Sequence, residues 1–117
     1  MSEHEITELV IQWVGLGLVV ITLYLTVLSG YVVFGLSVAK DLSRLQLLFV
    51  TVVFALFEGF FTFGTFTMWE NARATLLIYP LAGFNMPAYW GQIIAVTEML
   101  GIIGALFFVY SLRQKRT

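Results

Sequence analysis

Three long apolar runs, separated by short polar breaks, dominate the chain. The first extends over residues 9–39, the second over 45–69 and the third over 88–112. Each is longer than the roughly 20 residues that a helix needs to cross the hydrocarbon core of a bilayer. At about 1.5 Å per residue the first run is about 45 Å long as a helix, so it must tilt, bend or project beyond the bilayer. The pattern predicts an all-α integral membrane protein with three transmembrane helices in a single domain over residues 1–117.

The segment between the second and third runs, residues 74–87, is apolar but too short to cross a bilayer. It contains Pro80, Gly83, Asn85 and Pro87, which are incompatible with one straight helix. We therefore expect an interfacial or partly re-entrant segment here. A fourth membrane span is the alternative.

Basic residues predict how these spans are oriented. With three spans, only Arg73 falls on the side that holds the N-terminus. The opposite side holds Lys40, Arg44, Arg113, Lys115 and Arg116. Because cytoplasmic loops are enriched in Lys and Arg, we expect the N-terminus outside and the C-terminus in the cytoplasm, with a prokaryotic cytoplasmic membrane as the location.

Composition supports the membrane assignment and removes several function classes. Hydrophobic residues make up 60% of the chain and charged residues 11%, whereas soluble domains have roughly 45–50% and about 25%. The net charge of −1 and the absence of cysteine argue against a nucleic-acid partner and against thiolate metal sites. The single histidine, His4, lies in the polar N-terminal tail, so we expect no metal site and no cofactor. No phosphate-binding loop or nucleophile–base set is recognisable, so we expect no enzymatic activity.

Small and hydroxylated residues recur at helical spacing within each run. Such rows let transmembrane helices approach one another and supply weak hydrogen bonds between them, so we assign them to helix packing. In the first run the row includes Thr22, Thr26 and Ser29, in the second Thr51, Ala55, Thr62 and Thr65, and in the third Gly101 and Ala105. A second row of the first run, with Tyr24 and Tyr31 seven residues apart and Gly17 and Gly35 beside them, is an alternative contact face. The phenylalanine-rich remainder of the second run suits lipid or a neighbouring subunit.

Two carboxylates interrupt the apolar spans. Glu58 lies midway along the second run and Glu98 near the middle of the third. Because these spans run in opposite directions, the two side chains should lie at similar depth, and each is on the small, polar face of its helix. A charged carboxylate costs at least about 2.5–3.5 kcal/mol at the centre of a bilayer, so both are functional candidates. Two adjacent buried carboxyls can share one proton, and they could relay protons or exchange them for a cation. The structural alternative is a protonated glutamate that donates one hydrogen bond to the next helix.

Two stretches surround these glutamates: the sequence from Arg44 to Phe49 leading to Glu58, and Thr97–Met99 leading to Arg113. In this layout the chain resembles the small three-span subunit of proton-pumping NADH dehydrogenases, which also has an outside N-terminus and a carboxylate in spans two and three. The resemblance covers two spans. The outer loop is longer here, and the spacing from the basic residue to Glu58 differs. The resemblance implies a role within an energy-converting membrane complex.

Two functions are compatible with these features. The first is a small non-catalytic subunit of a multi-subunit membrane complex, including the energy-converting kind, in which Glu58 and Glu98 provide polar packing or a proton path. The second is a small homo-oligomeric transporter or channel that uses the same glutamates to bind a proton or cation. Three helices alone enclose too little volume for a substrate path, which favours the first. The expected partners are the lipid bilayer and other membrane subunits.

Overall fold

The computed structural model of the protein describes residues 2–80 and 86–114. Over this part of the chain it contains helix α1 (Glu3–Val38), a short 3-10 turn (Ala39–Asp41), helix α2 (Arg44–Ile78) and helix α3 (Trp90–Gln114), with no strand. All three helices are long and apolar enough to cross a membrane, which confirms the all-helical prediction and its three candidate spans. The predicted interfacial or re-entrant segment falls partly on residues 81–85, which lie outside the described residues.

Serine residues define where the first two helices begin. The Ser2 hydroxyl accepts a hydrogen bond from the Glu5 backbone N–H at 3.2 Å. Ser43 and Gln46 form a reciprocal capping box, in which each side chain accepts a hydrogen bond from the other residue's backbone N–H at 3.0–3.1 Å. These bonds satisfy backbone donors that have no partner within the helix. Helix α2 begins directly after the short turn that follows α1, and the two helices pack against each other as an antiparallel pair.

Helix α2 is longer than the sequence pattern indicates. The apolar run ends at Trp69, but the helix continues through Glu70, Asn71 and Arg73 to Ile78. Arg73 Nη1 lies 3.6 Å from Glu70 Oε2 on the helix surface, and polar side chains at that surface do not interrupt the backbone hydrogen bonds. The helix ends immediately before Tyr79 and Pro80, because the residue preceding a proline is disfavoured in helical conformation. Residues 74–78 therefore belong to α2 and not to a separate segment.

The two long helices project beyond the start of the third. A Cβ at Gly91 would lie 3.0 Å from the Glu70 carboxylate, so α3 begins level with Glu70. We call the parts of α1 and α2 beyond this level, residues 3–13 and 70–78, the helical extension. The extension has its own apolar cluster, formed by Ile6, Val10, Ala72 and Leu76. A second cluster, shared by all three helices, lies near the α1–α2 turn and contains Tyr31, Ala39, Leu47, Phe54, Ala105 and Val109.

The inward face of α1 is the row with tyrosine and glycine, and this corrects the packing face assigned from the small polar residues. Its buried residues are Ile6, Val10, Gly17, Tyr24, Tyr31 and Gly35. Thr22, Thr26 and Ser29 are exposed and lie outside the three-helix interface. The hydroxyls of Thr22 and Thr26 donate to carbonyls of their own helix at 3.0 and 2.9 Å, so they need no partner on another helix. Glycine, in contrast, lets a neighbouring side chain approach closely: a Cβ at Gly17 would lie 3.3 Å from Trp69 Nε1.

Most of the apolar surface faces outward. In the most apolar 18-residue stretch of each helix, only 17–22% of the residues are buried. Along α2 the exposed residues include Phe49, Phe57, Phe60 and Phe63. Such a surface matches an apolar surrounding, either acyl chains or other protein.

Candidate functional site

The middle of α2 turns a row of polar side chains inward. Glu58, Thr62 and Thr65 are four and three residues apart, so they lie on one face of the helix. Glu58 and Thr65 are fully buried and Thr62 is 7% exposed. This row lies between the two apolar clusters, in a part of the interior that α2 shares with both other helices.

Helix α3 brings the second carboxyl to the same place. Glu98 is 5% exposed, and its carboxyl interacts electrostatically with that of Glu58. The two glutamates predicted to lie at similar depth are therefore brought together. Among the described residues, none of the four carboxyl oxygens has a hydrogen-bond partner. An unpartnered buried polar atom is uncommon and costs free energy, which makes the pair the most conspicuous feature of the interior.

Two threonine hydroxyls lie beside the Glu98 carboxyl without completing a hydrogen bond of good geometry to it. The two hydroxyls differ in whether they already donate a hydrogen bond elsewhere. Thr65 donates to the Phe61 carbonyl at 2.9 Å, so its oxygen remains available only as an acceptor. Thr62 Oγ1 is buried and has no partner among the described residues. Thr62 can therefore still donate one hydrogen bond and accept others.

Helix α1 supplies a third component, Tyr24, which the polar pattern of the sequence does not place at the site. The Tyr24 hydroxyl donates a hydrogen bond to the Glu98 backbone carbonyl at 2.5 Å, and it interacts electrostatically with both glutamates. We call Tyr24, Glu58, Thr62, Thr65 and Glu98 the three-helix junction. The sequence feature that points to Tyr24 is the second row of α1, in which Tyr24 and Tyr31 lie on the same side of the helix as Gly17 and Gly35.

The remaining residues assigned to packing support the junction from one side. Thr51 hydrogen-bonds the Tyr31 hydroxyl at 2.9 Å. Gly101 is half-buried against Tyr24, and Ala105 is buried in the apolar cluster near the α1–α2 turn. Ala55 is half-buried on α2. Thr51, Gly101 and Ala105 contribute to contacts between helices, and none of the four residues carries a titratable group.

The chemistry available at the junction is that of two carboxyls, two alcohols and a phenol. Within the described residues, no group of three or more His, Cys, Asp or Glu side chains could hold a metal ion. When both carboxyls are ionised, two like charges are held close together away from water, which is unfavourable. A single proton removes one of the two negative charges and turns one carboxyl into a hydrogen-bond donor. The arrangement is therefore suited to holding a proton.

Comparison with known proteins gives no match among protein-family models, curated proteins or solved structures.

Proposed function

We propose that the chain is an integral membrane protein that acts as a small, non-catalytic subunit of a larger membrane complex, in which the Glu58–Glu98 pair binds and exchanges a proton. The observation that carries this proposal is the convergence of two buried carboxyls from α2 and α3, with no hydrogen-bond partner among the described residues. Ionisable groups inside membrane spans are expensive and typically mark proton or ion pathways. A shared proton gives these oxygens a partner, and its loss or gain changes the charge at the centre of the bundle.

The extension supports a role as a subunit. Helix α1 has 36 residues and is therefore about 54 Å long, against a hydrocarbon core of about 30 Å. The extension nevertheless exposes Ile11, Leu77 and Ile78, each more than 60% exposed. Apolar side chains that project beyond the acyl chains are exposed to water unless another molecule covers them. A neighbouring protein subunit provides such a cover, and the exposed phenylalanines of α2 offer further contact area.

Proton binding can be measured directly from the carboxyl band in infrared difference spectra of the purified protein, recorded as a function of pH. We expect a titrating protonated-carboxyl band that changes in Glu58→Gln and in Glu98→Gln. Glu70→Gln is the matched control, because Glu70 is a partly exposed glutamate of α2 paired with Arg73. A Glu58→Gln/Glu98→Gln double variant whose spectrum titrates like that of the wild type would exclude the carboxyl pair as the proton site.

The subunit role is tested by purification from native membranes under mild detergent. We expect other membrane chains to co-purify in fixed ratio and to be lost when Leu77 and Ile78 are both replaced by Ser. A single homo-oligomer of defined size would contradict this part of the proposal and would favour the homo-oligomeric transporter or channel.

A further inference from the structure

A groove of about 450 Å³ lies between α2 and α3, next to the three-helix junction. Its size is in the range of small-molecule sites in proteins. Its depth comes from residues without bulky side chains, Gly59 and Ala95, and its walls are formed by Phe63, Phe66 and Met99. The groove therefore has the size and the lining that suit an apolar, aromatic molecule.

Thr62 connects this groove to the carboxyl pair. It lines the groove and also lies beside the Glu98 carboxyl. Its side chain is more than nine-tenths buried, and its hydroxyl has no hydrogen-bond partner among the described residues. Thr62 is the one groove-lining residue with a polar side chain, and its buried hydroxyl lies beside the Glu98 carboxyl, which in turn interacts with that of Glu58.

The charge around the groove has one sign. Across residues 45–69 and 90–112, the only formally charged side chains are Glu58 and Glu98, and neither stretch contains Lys, Arg or His. The titratable side chains that interact at the junction are Tyr24 from α1, Glu58 from α2 and Glu98 from α3. An occupant that carries a positive charge is therefore complementary to the site. The aromatic rings of Phe63 and Phe66, which line the groove, are a side-chain type that attracts cations.

We propose that the groove between α2 and α3 binds a membrane-soluble organic cation whose charge is balanced by the Glu58–Glu98 pair. This inference rests on the proposed proton-binding role of the same pair. The exchange is balanced in charge: the pair releases one proton and becomes more negative by one charge, and the cation contributes one positive charge in its place. Proton and organic cation therefore compete, and binding of either one weakens binding of the other.

Tetraphenylphosphonium is a suitable probe, since it is permanently charged, apolar and aromatic. Its binding to the purified chain in lipid nanodiscs is measured by calorimetry in two buffers of different ionisation enthalpy, which reports how many protons are released. We expect saturable binding with release of about one proton per cation, and a loss of at least about tenfold in affinity for Glu98→Gln. Empty nanodiscs give the contribution of partitioning into lipid.

Two glycines provide a matched pair of variants. An added Cβ meets no atom within 4 Å at either Gly59 or Gly104, but only Gly59 lines the groove. Gly59→Leu should therefore fill the groove and weaken tetraphenylphosphonium binding at least about tenfold, whereas Gly104→Leu should bind like the wild type. Equal binding by the two variants would overturn the proposed site.

A neutral molecule of similar shape, tetraphenylsilane, tests the charge requirement. We expect it to bind far more weakly than the cation and to release no proton. If it binds equally well, the groove is only an apolar site and the inference is wrong. If tetraphenylphosphonium fails to bind while the carboxyl band still titrates and responds to the glutamate variants, the cation inference fails and the proton-binding role stands. If the carboxyl band does not respond to the glutamate variants, the proton-binding role fails, and this inference fails with it.

Discussion

The Tyr24 hydroxyl of α1 donates a hydrogen bond to the backbone carbonyl of Glu98 in α3 at 2.5 Å. This bond joins α1 directly to α3 at the residue that carries the second buried carboxyl. Gly101 lies one turn further along α3 and leaves the space that the Tyr24 hydroxyl occupies. The position of the Glu98 side chain thus depends on a tyrosine and a glycine that carry no charge.

Replacing Tyr24 with Phe should remove this bond while retaining the ring. We expect a loss of about 0.5–1.5 kcal/mol in the free energy of unfolding, measured by denaturing-detergent titration in mixed micelles. The loss is modest because the Glu98 carbonyl also belongs to the α3 helix ladder. Tyr89→Phe is the control, since Tyr89 is 73% exposed, and it should unfold like the wild type. An equal effect of the two substitutions would show that the Tyr24 bond contributes nothing.

Gly101→Ala should destabilise the bundle because the new Cβ would overlap the Tyr24 hydroxyl. Overpacking of this kind typically costs about 1–3 kcal/mol. The Tyr24→Phe substitution removes the overlapping atom, and the next ring atom, Cζ, is then at an ordinary contact distance of 3.6 Å from the Cβ. The double variant should therefore be more stable than the sum of the two single effects predicts. Simple additivity in the same titration would contradict the proposed overlap.

Gly35→Ala tests a close approach at the other end of the bundle. The new Cβ would lie 2.6 Å from Val109 Cγ2 and 3.2 Å from Val109 Cγ1. A β-branched side chain in a helix has little rotational freedom, so the helices must separate, at a cost of about 1–3 kcal/mol in the free energy of unfolding. Gly30→Ala, on the same helix, meets no atom within 4 Å and should be neutral or slightly stabilising. Gly35→Ala should therefore be less stable than Gly30→Ala. The reverse order of stability would show that α1 presents a different face to α3.

The sequence predicts the carboxyl pair more reliably than it predicts the face of α1. An ionised carboxylate finds no free donor along its own helix backbone, so the sequence predicts that Glu58 and Glu98 point into the protein. A threonine hydroxyl can donate to a carbonyl of its own helix, and Thr22 and Thr26 do so. Small polar residues in α1 were therefore a weak signal of burial. The burial of Tyr24 follows from how closely α1 approaches its neighbours at its glycines, which is a property of the packed bundle.

The end of α2 illustrates the same difference between polarity and backbone geometry. Glu70 and Arg73 mark where the apolar run stops, which is a property of side chains. Helix hydrogen bonding depends on the backbone, and it continues to the residues that precede Pro80. Hydropathy therefore predicts the length of an apolar span, whereas the proline predicts the length of the helix.

Phe54→Ala should destabilise the protein more than replacement of an exposed phenylalanine of α2. The Phe54 ring stacks on Tyr31 with a centroid distance of 4.0 Å and an interplanar angle of 8°, and it is 3% exposed. In detergent the unfolded helix keeps an apolar surrounding, so the cost comes mainly from the cavity and the lost contacts, about 2 kcal/mol. Phe60→Ala is the control at an exposed position of the same helix, and it should change the free energy of unfolding by less than about 0.5 kcal/mol. Similar losses for both would mean that the stacked pair adds no packing energy.

Ala72→Leu should open the extension without disturbing the rest of the bundle. Ala72 is fully buried in the cluster with Ile6, Val10 and Leu76, and three additional carbon atoms there overpack the contact between α1 and α2 at a cost of about 1–3 kcal/mol. Because α3 begins beyond this level, the extension can separate locally. Amide hydrogen exchange over residues 6–13 should accelerate by roughly tenfold or more, while amides around Tyr31 keep their wild-type protection.

The control for Ala72→Leu is Ala74→Leu, which places the same side chain at an exposed position two residues later and should leave exchange unchanged. Acceleration that reaches Tyr31 as strongly as residues 6–13 would show that the extension and the three-helix part unfold as one unit. In that case the extension could not serve as an independent contact surface for a neighbouring subunit, because any change at that surface would be transmitted to the buried carboxyls.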